Sequence, residues 1–338
     1  MSEHEQRQVD ELEAALSAIV AGQEVPSEVG EEVRDLAQIA AHLLGLPGED
    51  FRTRLKADLV GATLPQDVET EIETETDLAP AEKGIPPGSP SVVPYLIVDR
   101  SPELPDFLVR AFGAEVLYRM PEAPGGGFHA EVRIGDAHVM MGGMLPRQAP
   151  TIPAALHLYV PDVDAVFERA VDAGAQVLYL PKDQPYGDRE AGVKDPFGDT
   201  WYIATHKAGP SHVPPGMHTV TPHLQVHGVD ALLGFGKKAF GAETVARHAD
   251  PKGVVMHAMM KVEGSMIEMG EAHGPYPVIP AMLYVYVADV DRSYARALAA
   301  GAESLKPPAD EPYGHRTAAI RDTWGNQWYV ARPIKRSS

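Results

Sequence analysis

Cysteine is absent from the 338 residues. That excludes a disulfide framework, a thiolate nucleophile and any Cys-ligated zinc or iron–sulfur cluster, so a metal in this chain must be held by nitrogen and oxygen. Long apolar runs are missing as well: none approaches the roughly 18 residues of a membrane span, and the start, MSEHEQRQVDELE, lacks the basic and apolar regions of a secretory signal. Positive charge is scarce. The 29 Lys and Arg stand against 48 Asp and Glu, a net charge of −19, which argues against nucleic acid, because phosphate binding needs a cationic face. These absences predict a cytoplasmic protein with neither nucleic acid nor membrane as partner. What the chain does have is length and an apolar fraction of 44%, enough for buried cores in two or three domains.

The acidity is concentrated at one end. Residues 1–83 hold 20 acids against 6 Lys and Arg, a net of −14, which leaves −5 for the rest. Within that region Val9, Leu12, Leu16 and Ile19, then Val29, Val33, Leu36, Ile39 and Leu43, recur at the helical spacing of three and four. Two helices are predicted, separated near Pro26 and Ser27, with a third short one over 49–59. Residues 1–60 are therefore read as a small helical region for packing, self-association or partner docking. Residues 61–90 mix alternating acids with proline and glycine and read as a linker.

From about residue 91 the sequence is written twice. PPGSPSVVPYLIV is matched by PPGMHTVTPHLQV, AFGAEV (111–116) by AFGAET (239–244), LHLYVPDVD (156–164) by LYVYVADVD (283–291), and DPFGDTWYI (195–203) by DTWGNQWYV (322–330). The offset stays at 127 or 128 residues throughout, the signature of an internal repeat. Two domains follow, 91–208 and 215–335. Within the first, PYLIV reads as a strand, SPELPDFLVRAFG as a helix stopped by Gly113, and FHAEVRIGDAHVMMGG as a hairpin turning at Gly135 and Asp136. A second half repeats the pattern: ALHLYV is a strand, DVDAVFERAVDAG a helix capped by Asp162 and ended by Gly174, and VLYLP, REAGVKDP and TWYIATH are strands. Each copy is thus two βαβββ motifs, an α+β fold.

That order, with the HAEVRIGD hairpin, the DVDAVFERAVDAGA helix and the PYGDREAGVKDPFGDTWYIATH ending, resembles the vicinal oxygen chelate superfamily, in its PhnB-like glyoxalase and bleomycin-resistance branch. The resemblance implies curved mixed sheets that form cups, in which a divalent metal chelates neighbouring substrate oxygens as a Lewis acid. It does not by itself fix a reaction, since the superfamily holds lyases, epimerases, dioxygenases, transferases and drug-binding proteins.

The resemblance also places four ligand positions in each cup. Copy one offers Tyr95, Met140, His157 and Tyr202 there, and copy two offers His223, Glu268, Tyr284 and Tyr329. The two histidines stand two residues after the family's usual site, which keeps them on the same strand face, and tyrosines replace the last-strand glutamate. If each copy folded on itself, neither cup would hold more than two ligands. If the halves exchange, His157, His223 and Glu268 share one cup, while Tyr95, Met140, Tyr284 and Tyr329 share the other.

A two-histidine, one-carboxylate set suits Fe(II) and also accepts Zn, Ni or Mn. The expectation is a metal-dependent enzyme acting on a small oxygenated molecule, with an Fe(II) oxygenase set ahead of a glyoxalase-like lyase or isomerase. The alternative is a metal-free protein that binds a small molecule or antibiotic. In the PYGDR and PYGHR turns, Arg189 or Arg316 would clamp a substrate carboxylate and His315 would act as acid or base. His129 and His257 read as structural, and Trp201 and Trp328 as packing residues that face away from the cups.

Overall fold

Sixteen strands and four α-helices account for most of the chain that the structure, a computed structural model, describes: residues 84–98, 101–120, 127–144, 151–274 and 276–334. The expected N-terminal helices and linker residues 61–83 lie outside the described residues. Copy one runs β1 (Val92–Ile97), α1 (Leu104–Phe112), β2 (Glu115–Arg119), β3 (Gly127–Ile134) and β4 (Ala137–Met144). It continues with β5 (Ala155–Tyr159), α2 (Val163–Asp172), β6 (Gln176–Asp183), β7 (Asp188–Lys194) and β8 (Thr200–His206). Copy two repeats this as β9 (Val220–Val226), α3 (Val229–Phe240), β10 (Glu243–Ala249), β11 (Val255–Val262) and β12 (Ser265–Glu271). Its second half is β13 (Met282–Tyr286), α4 (Val290–Ala299), β14 (Glu303–Asp310), β15 (His315–Arg321) and β16 (Gln327–Pro333).

Local signals set these boundaries. The α1 helix ends on Gly113 at φ 69°, the left-handed cap that glycine adopts without strain, and Asp162 caps α2 by accepting from the Ala165 N–H at 3.1 Å. Within residues 84–90, part of the stretch read as linker from composition, Gly84 and Pro90 are buried while Pro87 and Gly88 are exposed. Ile85 lies against the cluster of Val93, Met140, Tyr284, Tyr286 and Ala331, and Gly84 approaches the Val287 carbonyl so closely that a Cβ would stand 2.4 Å from it. An apolar residue beside a Pro-Pro-Gly turn gives this stretch something to bury, and composition alone does not reveal that.

The halves exchange. One eight-stranded sheet has the order β14-β15-β16-β13-β1-β4-β3-β2 and the other β10-β11-β12-β9-β5-β8-β7-β6. The seams are antiparallel, with Val93 opposite Tyr284 and Ala155 opposite His223, while neighbouring pairs such as β5·β8 and β12·β9 are parallel. The apolar cores follow the copies rather than the sheets. Phe107, Leu108, Leu156, Val163 and Trp201 belong to one core, from copy one except for Val220; Leu224, Leu232, Val285, Ala297 and Trp328 belong to the other, from copy two except for Val92. Helix-side burial thus binds the two motifs of a copy, and strand pairing binds motifs of different copies into a sheet. Each cup therefore takes one wall from each copy.

Trp201 and Trp328 are fully buried on the helix side, as expected, against Phe112 and Phe240 at 4.7 and 4.9 Å between ring centroids. Each indole N–H donates to an aspartate, Asp195 or Asp322, at 2.9 Å. Trp201→Phe is expected to lower stability by about 1–3 kcal/mol in a urea titration, because Asp195 Oδ2 takes its hydrogen bond from that indole, whereas Asp322 Oδ2 also accepts from Asn326.

The turn holding these aspartates differs between copies. In copy two the Asn326 amide donates to Asp322 at 2.9 Å and its oxygen accepts from the Ala281 N–H at 3.0 Å. In copy one the same place is Asp199, which accepts from the Ala154 N–H at 2.8 Å but leaves Oδ2 buried without a partner. Burial and the neighbouring Asp195 push the Asp199 carboxyl well above its ordinary value.

Candidate functional site

Exchange brings His157, His223 and Glu268 onto one face of the second sheet. His157 lies on β5, His223 on the adjacent β9, and Glu268 on β12, where it is the Cα partner of His223. The face is fixed by alternation: Leu156, Leu158 and Leu224 point into the helix-side cores, so His157 and His223 point the other way. On that side His157 Nδ1 stands 2.9 Å from Glu268 Oε2, and His157 Nε2 stands 3.3 Å from Glu190 Oε2. Glu268 and Glu190 lie on strands two places to either side of β5, about 10 Å away in a flat sheet. One ring touches both because the long glutamates lean inward over a concave face.

Glu190, on β7, was not singled out in the sequence. It accepts hydrogen bonds from the Tyr179 hydroxyl at 2.7 Å and the Tyr186 hydroxyl at 3.0 Å. The signal was present as a divergence between the copies: REAGVK in copy one is RTAAIR in copy two, so that Thr317 stands where copy one has Glu190. His257, read as structural, also reaches this cup, 3.9 Å from Glu268, with its ring 6.4 Å from that of His223. Tyr159 stacks on His157 at 4.5 Å between centroids, and Tyr202 meets both His157 and His223 edge-on.

The charges follow from the enclosure. His157 is 8% exposed and Glu268 4%. Burial alone would strip the proton from His157, but the Glu268 charge and the contacts with Glu190 outweigh it and lift the ring to about 10. Burial alone would raise Glu268; the His157 charge and hydrogen bond hold it at about 2. Glu190 is likewise held below its usual range by His157 and then by the two phenols, against the effect of burial. His223, with burial dominant, falls to about 4. The cup therefore holds an imidazolium between two carboxylates, beside a neutral imidazole.

This donor set has the right chemistry for a divalent metal but not the convergence. Among the described residues no three His, Asp or Glu side chains come together as a metal site requires. His157 and Glu268 face each other rather than a common point. As arranged, the residues do not fit the metal.

The other proposed site residues fall elsewhere. Arg189 and Arg316 occupy the strand positions between cup-facing residues, so both point to the helix side. Arg189 is held by Asp164 through two bonds of 2.7 Å; Arg316 is held by Asp291 at 2.5 and 2.7 Å and by Asp310 at 2.8 Å. They tie helices α2 and α4 to the sheets, with both guanidinium groups engaged by these carboxylates. His315 lies in the opposite cup, its Nδ1 3.2 Å from the Tyr284 hydroxyl. That first cup gathers Tyr95, Met140, Tyr284 and Tyr329, with Tyr95 hydrogen-bonded to His129 Nδ1 at 3.0 Å. A cleft of about 730 Å³ between the β3–β4 turn and residues 208–219 contains none of the candidate residues.

Comparison with known proteins gives the same picture of the fold. The profile of the family described as Glyoxalase/Bleomycin resistance protein/Dioxygenase superfamily matches residues 91–203 and again 216–330. An uncharacterized protein of Mycobacterium bovis is 41% identical over 124 residues, 34% of this chain and 82% of that protein. "Putative glyoxylase CFP32" of the same organism is 26% identical over 231 residues, covering 63% of this chain and 83% of its own length. Among solved structures, glyoxalase I from Zea mays superposes with a TM-score of 0.55 at 15% identity, over 72% of this chain and 92% of that one. At that identity the likeness speaks for the fold alone.

Proposed function

Because the chain belongs to the glyoxalase/bleomycin resistance protein/dioxygenase superfamily, we propose that the histidine cup is its working site, where a small oxygenated molecule binds and has a proton moved on it. One observation carries this reading: the His157 ring is anchored at Nδ1 by Glu268, while Nε2 is buried without a hydrogen-bond partner, 3.3 Å from a second carboxylate. An imidazolium held at one nitrogen presents the other N–H as an acid. Glu190, ionised beside it, is placed to act as the base. On a compound with neighbouring carbon-bound oxygens, Glu190 takes a proton from carbon while His157 gives one to oxygen, and the return transfer restores both groups. Isomerase or lyase chemistry needs that pair of transfers.

A second reading is favoured by the three imidazoles and two carboxylates in one cup, in a superfamily whose members are commonly metal-dependent. There His157, His223 and Glu268 hold Fe(II), or Zn, Ni or Mn, once His157 has lost its proton and turned away from Glu268. The test follows solvent-deuterium incorporation into α-hydroxy carbonyl compounds by NMR, with chelator-treated protein and with each metal added back. Exchange by the chelated protein that falls at least about 100-fold in Glu190→Gln supports the acid–base reading. Exchange that appears only with metal, with metal content lost in His223→Ala, supports the second. Tight ligand binding without exchange in either state selects a metal-free binding protein.

A further inference from the structure

We propose that the first cup is a second, independent ligand site, and that it takes a small organic cation. Its walls differ from those of the histidine cup residue by residue. Tyr95 stands where copy two has His223, Tyr284 where copy one has His157, and Met140 where copy two has Glu268. The imidazoles and carboxylate of the working cup are thus replaced by phenols and a thioether, so neither the acid–base pair nor a metal ligand set is present at these positions. Tyr286 and Tyr329 extend the same surface, Tyr284 and Tyr286 meeting edge-to-face at 5.3 Å, with Val93, Ala331 and Ile85 packed among them.

Aromatic faces carry negative potential at their centres, and a cation within about 6 Å of the ring centroid is attracted to it. The phenols stay neutral, since burial raises Tyr95, Tyr284 and Tyr286 above their ordinary range. Competing cations are few. Burial lowers His129 and His315, each of which is tied to a phenol, and the Lys306 ammonium is paired with Glu311.

One carboxylate completes the cup. Glu131 on β3 is the Cα partner of Met140 and lies on the cup side, between His129 and Arg133 along the strand. Its Oε1 meets His138 Nδ1 at 2.7 Å, while Oε2 accepts no hydrogen bond among the described residues; the side chain keeps 23% exposure. Its charge is felt at His129, His315 and Tyr286, on three strands around the cup. Neutral aromatic faces around a single anionic group suit an alkylammonium and oppose an anion. The histidine cup, with its buried imidazolium, offers different chemistry, so one chain would hold two unlike ligands.

The test uses choline and 3,3-dimethylbutan-1-ol, which share a shape and differ in charge, titrated calorimetrically into the full chain. Choline is expected to bind at least about 10-fold more tightly than the alcohol. Glu131→Gln should weaken choline by about that factor and leave the alcohol unchanged, while Glu190→Gln in the other cup leaves choline binding as it was. Because Glu131→Gln preserves shape, its circular dichroism spectrum should match that of wild type. Equal affinity for the two probes, no choline binding, indifference to Glu131→Gln, or loss of choline binding in Glu190→Gln would each overturn the proposal.

Discussion

His157→Leu is expected to destabilise the protein by about 3–5 kcal/mol, because it leaves two buried carboxylates, Glu268 and Glu190, without the cation between them. Adding Glu268→Leu to that variant should recover much of the loss, since replacing a whole buried ion pair by apolar groups is far less costly than breaking it. Urea titrations of the four proteins in the cycle give the coupling directly. The pH dependence has a definite sign. His157, raised from 6.5 to about 10, contributes fully below pH 6.5, and its contribution fades as the pH rises through about 10. Glu268, lowered from 4.5 to about 2, contributes fully above pH 4.5 and fades as the pH falls through about 2. The advantage of wild type over the double variant should therefore peak between pH 4.5 and 6.5 and narrow on either side. An advantage that grows steadily with alkalinity would mean that the ring is not the cation of the cluster.

Asp199→Asn should act in the opposite direction and stabilise the fold by about 1–3 kcal/mol at neutral pH. The protein already contains the comparison. Asn326 occupies the equivalent place in copy two and satisfies Asp322 with an N–H at 2.9 Å, where Asp199 leaves an oxygen buried and unpartnered. Asp199 has a folded-state value well above the 3.8 of the unfolded chain, with burial as the leading cause and Asp195 next. The native state thus binds the extra proton: the contribution of the group is complete below pH 3.8 and is lost as the pH rises through the raised value. Wild type should lose stability over that range and Asp199→Asn should not. Thermal unfolding from pH 4 to pH 8 reads the difference, and parallel curves would remove the explanation.

The repeat was legible in the sequence because DVDAVFERAVDAG and DVDRSYARALAAG keep their caps and apolar spacing, features set by local geometry. The grouping of His157, His223 and Glu268 was legible only as one of two outcomes. Which motif pairs with which depends on the seams β1·β13 and β5·β9, between residues far apart in the chain. The partners of the arginines follow from strand alternation: Glu190 faces the cup, so Arg189 beside it faces the helices and meets Asp164. Which cup His315 enters was not legible locally, because that depends on the sheet to which its hairpin belongs. Glu190 lies on the third strand of its motif, outside the four ligand positions that the resemblance implies, and only Thr317 in the matching position marks it as a residue that diverges. His257 illustrates the same dependence on sheet pairing. The same histidine recurs in both copies, at 129 and 257, yet one is satisfied by a tyrosine hydroxyl and the other faces Glu268 and His223.

The central claim is that His157 is an imidazolium pinned at Nδ1 by Glu268, with its Nε2 N–H beside Glu190. Histidine-selective 15N NMR of the chelator-treated protein at about pH 8, repeated after addition of Zn(II), tests it most directly, since a free histidine is neutral there. The account predicts that both ring nitrogens of His157 carry protons at that pH and stay protonated when zinc is added. A neutral His157 in the chelated protein, or a ring nitrogen that gives up its proton to stoichiometric zinc, would contradict it.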